Sequence, residues 1–158
     1  MALGTLALLV LAVMGHAFLR KKAKRIVGAI GCIFALIIIV YATVLSRSEP
    51  GQGLVLIPGY SFLKATYSAE YLRMVLMNIA MFVPWGVFLS MFLCANGVRK
   101  NILITLGVSL GITVLIECIQ YFFSLGCAEL DDVICNMIGA AIGIIPYGAA
   151  YPIVKKEN

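Results

Sequence analysis

Long apolar runs, separated by short charged or turn-rich stretches, set the pattern of this 158-residue chain. Five runs stand out: Leu3 to Leu19, Ile26 to Leu45, about Leu72 to Ala95, Ile102 to Phe123, and about Val133 to Val154. A helix needs roughly 20 predominantly apolar residues to cross a bilayer, so each run reads as one span. The expected fold is all-α: a polytopic membrane helix bundle of about five transmembrane helices, forming one domain over residues 1–158. The first run is the shortest and could be mistaken for a signal peptide. It has no basic segment before it and five positive charges after it, so it reads as a retained span.

Composition sharpens this picture. The chain is 63% hydrophobic and only 12% charged, with a mean hydropathy of +1.06. A soluble domain is about 45–50% apolar and about 25% charged, so lipid must solvate much of this surface. Of twelve basic residues, nine fall on one side of the expected bundle: Arg20, Lys21, Lys22, Lys24, Arg25, Arg99, Lys100, Lys155 and Lys156. That side should be the cytoplasm, which puts the amino terminus outside and the carboxyl terminus inside. Topology accounts for the basic balance, and it implies no nucleic-acid partner. The acidic residues segregate the other way, with Glu129, Asp131 and Asp132 crowded into one short outer connection and Glu49 and Glu70 in the other.

Polar residues inside the spans carry the candidate chemistry. Glu117 lies about six residues below the outer end of the fourth span, and Asn136 and Asn78 lie about as deep in the fifth and third. At about 1.5 Å per residue, all three reach about 9 Å below the outer interface. Gln120 shares a helix face with Glu117, and Asp132 shares one with Asn136. A carboxyl at that depth must face the bundle or a wet cavity, either neutral or ionised against a cation. Arg47 and Arg73, at the outer ends of their spans, are the candidate cations in the chain; a substrate or a metal ion could also serve. Interhelical hydrogen bonding is the plainer role for the amides. Gly107 with Gly111 and Gly139 with Gly143 form two GxxxG patterns suited to close helix packing. Pro84 should kink the third span, and Trp85 beside it is a deep packing residue. His16 is far from this constellation and reads as structural.

From Tyr71 to Gly143 the chain resembles the VanZ-like family of bacterial membrane proteins. The matching pieces are Asn78-Ile-Ala-Met-Phe-Val-Pro84-Trp-Gly86, then Glu117-Cys-Ile-Gln120, then Glu129-Leu-Asp131-Asp132-Val-Ile-Cys-Asn136-Met-Ile-Gly139-Ala-Ala-Ile-Gly143. Tyr41-Ala-Thr43-Val-Leu-Ser-Arg47 fits the ending of the family's second span. Many members carry an arginine at the start of the third motif, where this chain has Gly126. A phosphate-binding role for that arginine would therefore have to pass to Arg47 or Arg73. The family is named for a protein that gives low-level resistance to the glycopeptide teicoplanin. The resemblance thus implies a multi-pass protein of the bacterial plasma membrane acting near cell-wall precursors at the outer leaflet.

Two mechanisms fit these residues. In one, the protein is a non-catalytic modifier. Its outer pocket, formed by Asn78, Gln120, Glu129, Asn136, Arg47 and Arg73, binds a lipid-linked wall precursor or a lipoglycopeptide tail, with carboxylates bridging to phosphates through a divalent cation. In the other, it is an intramembrane enzyme acting on a polyprenyl-linked phosphate or sugar. Glu117 would then be the general acid or base, and Asp131 and Asp132 would position a metal or water. Glu117, Asp131 and Asp132 are the candidate metal ligands in either case. No nucleophile motif, phosphate-cradling loop or His–Cys cluster supports catalysis, so the modifier is preferred. The five cysteines lie mostly within spans, which argues against a disulfide framework. The segment from Ser46 to Tyr71 is long for a connector. Its LVLIP stretch, with Tyr60, Phe62, Tyr67 and Tyr71, suits the membrane interface, as a lid or as a segment lying on headgroups.

Overall fold

A computed structural model describes residues 11, 12, 14–46, 51–94 and 97–156. Helix α1 covers Lys21–Val40 and runs on through a π-helical turn at Tyr41–Leu45. Strand β1, Gly51–Val55, and the short helix α2, Tyr60–Ala65, follow. Helices α3, Ala69–Leu93, and α4, Val98–Phe122, are each 25 residues long. Strand β2, Leu125–Glu129, leads directly into α5, Leu130–Lys156. Among the described residues, four stretches are long and apolar enough to cross a membrane: Lys21–Leu45, Ala69–Leu93, Val98–Phe122 and Leu130–Tyr151. The molecule is a polytopic membrane helix bundle, and these are the second to fifth expected spans within a few residues. Of the first expected span, residues 11, 12 and 14–18 are helical, and residues 1–10 and 13 lie outside the described residues.

Helix α3 is the centre of the bundle. Phe82, Trp85 and Leu89 on α3 pack with Ala35 and Ile39 of α1, Ile116 of α4 and Ala140 of α5. At the other end of α3, Val87 and Met91 pack with Ala12. Many other large apolar side chains point outward, among them Ile33, Phe34 and Ile37 on α1 and Leu103, Leu110 and Leu115 on α4. In water this would be an aggregating surface. In a bilayer the acyl chains are as apolar as Leu, so such side chains stay outside and small residues fill the contacts.

Those small residues decide the tightest contact. A Cβ on Gly139 would run into the Ile79 carbonyl oxygen, one on Gly143 into that of Val83, and one on Gly86 into that of Ala140. Helices α3 and α5 therefore touch backbone to backbone, as the Gly139–Gly143 pattern implies. They run parallel, because Ile79 meets Gly139 and Val83 meets Gly143, the same offset of 60 residues. Gly28 gives α1 the same close approach to the α3 backbone at Phe92, and Gly31 makes room for the Phe88 ring. The other GxxxG pair behaves differently: nothing lies within 4 Å of a Cβ added at Gly107 or Gly111. The pattern alone does not reveal the face, and on α4 that face looks outward. Helix α3 continues through Pro84, with Trp85 buried beside it as expected.

The segment between α1 and α3 is not a plain loop. Strand β1 pairs in parallel with β2, from Gly51 opposite Leu125 to Val55 opposite Glu129. Parallel pairing follows from topology, since β1 and β2 each precede a helix that departs from the same end of the bundle. The all-α reading thus acquires a two-stranded sheet at that end. The glycine contacts make a paired prediction. Gly143→Ala should lower the unfolding free energy in detergent by about 1–3 kcal/mol, the usual cost of overpacking. Gly107→Ala should be neutral or stabilise slightly, since Ala is the better helix former by about 1 kcal/mol. Thermal or chemical unfolding followed by circular dichroism measures both.

Candidate functional site

Helix α4 carries polar residues at every fourth position: Asn101, Thr105, Ser109, Thr113 and Glu117, followed by Gln120. All six are buried. In hydrocarbon a polar side chain has no water to turn to, so this stripe must face the other helices. Near the basic end, Asn101 Nδ2 donates to the Ser90 carbonyl of α3 at 3.0 Å, and the Thr105 hydroxyl donates to Asn101 Oδ1 at 3.2 Å. Mid-stripe, Ser109 donates back to the Thr105 carbonyl at 2.7 Å and accepts from Trp85 Nε1 at 3.0 Å. Asn136 Nδ2 of α5 then donates to the Thr113 hydroxyl at 2.7 Å.

Above Thr113 the stripe meets the acidic turn. Glu117 is 9% exposed, and its Oε2 accepts the backbone N–H of Glu129 at 3.0 Å. Gln120 Nε2 donates to the Thr43 carbonyl at 2.9 Å, within the π-helical turn that ends the first described span. Thr43 itself is buried, and its hydroxyl donates to the Ile39 carbonyl at 2.7 Å. The buried oxygens Gln120 Oε1 and Asn136 Oδ1 have no hydrogen-bond partner among the described residues.

The acidic turn holds the connector down. Asp131 Oδ1 accepts the Gly59 N–H at 2.8 Å, and its Oδ2 accepts the Ser61 N–H at 2.7 Å. Its carboxylate thus caps the amino end of α2 from another part of the chain, as charge and free N–H groups favour there. Gly59 makes this geometry with φ near +84°, a conformation suited to glycine. The Ser61 hydroxyl donates to Glu129. One turn along α2, the Lys64 ammonium lies over the Tyr60 and Tyr71 rings, 4.2 and 4.6 Å from their centroids, and donates to the Tyr71 hydroxyl at 3.0 Å. Hydrogen bonding to Tyr60, then to Tyr71, raises its pKa above the usual lysine value.

Glu117, Gln120, Glu129, Asp131, Asp132 and Asn136 are therefore all buried at one end of the bundle, where α4, α5, β2 and the connector meet. Two expected members stand apart from these hydrogen bonds. Asn78 is half-buried on α3, and none of the described hydrogen bonds joins it to Glu117 or Asn136. Arg73 is exposed near the start of α3. Arg47 lies outside the described residues. Both Asp131 oxygens hold backbone amides, and among the described residues no three His, Cys, Asp or Glu side chains stand close enough to hold a metal. His16 sits at the opposite end, 2% exposed, with Nε2 at 3.4 Å from the Ser90 hydroxyl and its ring edge-on to Tyr147.

Sequence reasoning missed Thr43, Ser61, Ser109 and Thr113. The four-residue polar spacing from Asn101 to Glu117 was the available signal for Ser109 and Thr113. Thr43 lay in the Tyr41–Arg47 stretch that carries the resemblance, but its partner and that of Ser61, Gln120 and Asp131, lie about seventy residues away in sequence.

With this geometry described, comparison with known proteins identifies the family. Residues 26–151 match the family described as VanZ/LLP1, and the chain belongs to it. Over 71 residues it is 31% identical to Protein VanZ of Enterococcus faecium, a stretch covering 45% of this chain and 42% of that protein. The match thus spans less than half of that relative. No solved structure matches the chain.

The clamp on the connector is directly testable. Asp131→Ala removes the acceptor of two buried amides, each worth about 1–3 kcal/mol when left unpaired. Hydrogen exchange should show the Gly59 and Ser61 amides losing most of their protection, while the amides of α3 keep theirs.

Proposed function

We propose that this member of the VanZ/LLP1 family is a resistance-related protein of the bacterial plasma membrane whose acidic end faces outward. It binds the headgroup of a lipid-linked cell-wall precursor, or the lipid tail region of a glycopeptide of the teicoplanin type, and lowers the drug's access to its target. The basic clusters at Arg20–Arg25 and Arg99–Lys100 begin α1 and α4 at the opposite end, which supports this orientation. The observation that carries the reading is the buried polar end itself. A carboxyl and two amides stand together in a lipid-solvated bundle, under a connector latched by Asp131, with two amide oxygens still unpartnered. Buried ionisable groups in a membrane are costly and mark functional sites by default.

Binding is favoured over catalysis by how the carboxylates are used. Asp131 is committed to Gly59 and Ser61, and Glu117 already accepts the Glu129 amide. Both therefore shape the site and hold the connector over it. Arg47, immediately after the described end of the π-helical turn, and Arg73 are the side chains assigned to the phosphates of the ligand.

Expression in a glycopeptide-sensitive host should raise the teicoplanin concentration needed to stop growth. Asn136→Ala, present in the membrane at the same level, should remove that increase, and Gly107→Ala should keep it. Equal tolerance in the Asn136→Ala strain would reduce that residue to interhelical packing. A radiolabelled precursor incubated with protein in nanodiscs should bind saturably and be recovered unchanged. A product whose formation stops with Glu117→Gln would instead establish the enzyme.

A further inference from the structure

Among the described residues of the acidic end, the hydrogen-bonded amide donors are committed and two amide oxygens are left over. Gln120 Nε2 is committed to the Thr43 carbonyl and Asn136 Nδ2 to Thr113. The Glu129 amide is committed to Glu117, the Gly59 and Ser61 amides to Asp131, and the Ser61 hydroxyl to Glu129. What is left over is oxygen: Gln120 Oε1 and Asn136 Oδ1, on residues only 1% and 3% exposed. The Gln120 amide cannot be turned round to remove the surplus. Thr43 presents a carbonyl, which only accepts, so Nε2 must face it and Oε1 must face away. The two orphan oxygens bracket Glu117. Gln120 is three residues above it on α4, and Asn136 joins α4 through Thr113, four residues below.

Buried acceptors are normally paired, and an orphan acceptor raises the question of what donor completes it. We propose that the acidic end of the bundle binds a headgroup that donates hydrogen bonds, through hydroxyl or ammonium, to Gln120 Oε1 and Asn136 Oδ1, and that it discriminates against a bare phosphate. The inference rests on the reading of this end as a ligand site and names the chemistry that site selects. A phosphate brings only acceptors and negative charge toward two amide oxygens and the buried Glu129 and Asp131. A hydroxyl or ammonium brings the missing donors, and an ammonium also matches the carboxylates in sign. Phosphates of a larger ligand are then confined to the rim, where Arg73 is exposed.

Three amphiphiles with one eight-carbon tail separate these cases: octyl glucoside, octylammonium and octyl phosphate. Each is titrated into the full chain in phosphatidylcholine nanodiscs, whose headgroups carry no hydrogen-bond donor. Binding is read from Trp85 fluorescence, since Trp85 is the sole tryptophan and bonds Ser109 one turn below Thr113. The glucoside or the ammonium compound should bind saturably and at least about tenfold more tightly than the phosphate, the equivalent of roughly one good hydrogen bond. Whichever of the two binds identifies the donor. Gln120→Met and Asn136→Leu should each weaken that binding about tenfold and leave octyl phosphate unchanged. Octyl phosphate binding as tightly as the donors, or variants that bind all three like the parent, would overturn the donor inference and leave the ligand site standing. No saturable binding of any amphiphile would overturn both.

Discussion

A polar side chain in hydrocarbon has no partner except another part of the protein, and this constraint organises the bundle. Helix α4 carries six buried polar residues along one stripe, so that face must turn inward whatever else packs. The levels of the stripe between them recruit three neighbouring elements. Asn101 takes a backbone carbonyl of α3, Ser109 takes Trp85, Thr113 takes Asn136 of α5, and Gln120 takes the turn that ends the first described span. Single bonds of this kind contribute only about 0.6 kcal/mol on average in a membrane. Their effect lies in specifying rotation and depth, because a helix turned by half a turn would expose all six to lipid.

Apolar packing supplies what the polar stripe cannot. Between helices solvated by acyl chains there is little hydrophobic drive to associate, so dispersion contacts need close approach. Gly86, Gly139 and Gly143 bring the α3 and α5 backbones together, and Gly28 does the same for α1 while Gly31 admits the Phe88 ring. The resulting parallel α3–α5 pair has a consequence at the acidic end. The two segments that lead into these helices arrive side by side, and they pair as β1 and β2. Asp131, one residue into α5's first turn, is thereby within reach of the α2 amides.

The acidic cluster therefore has two roles. Asp131 and Glu129 hold the connector, through amides and a hydroxyl of residues 59–61. Glu117 ties the stripe to β2 and stands between two amides whose oxygens remain available. Among the described residues, the Gln120 and Asn136 amide groups thus donate to other parts of the chain while their oxygens stay unpartnered.

Much of this was legible along the chain. Apolar run lengths determined the spans from Lys21 onward, because hydropathy is a sum over local residues and the bilayer imposes one length. Pattern and depth also marked Glu117, Gln120, Asp132 and Asn136 as inward-facing, since a polar group at that level has no alternative. The parallel pairing of β1 with β2, the capture of Gly59 and Ser61 by Asp131, and the selection of Gly139–Gly143 over Gly107–Gly111 as the packed face were decided only in three dimensions. Each depends on which helices are neighbours and how they are rotated. That choice is made by contacts between residues far apart in sequence, which no local periodicity encodes.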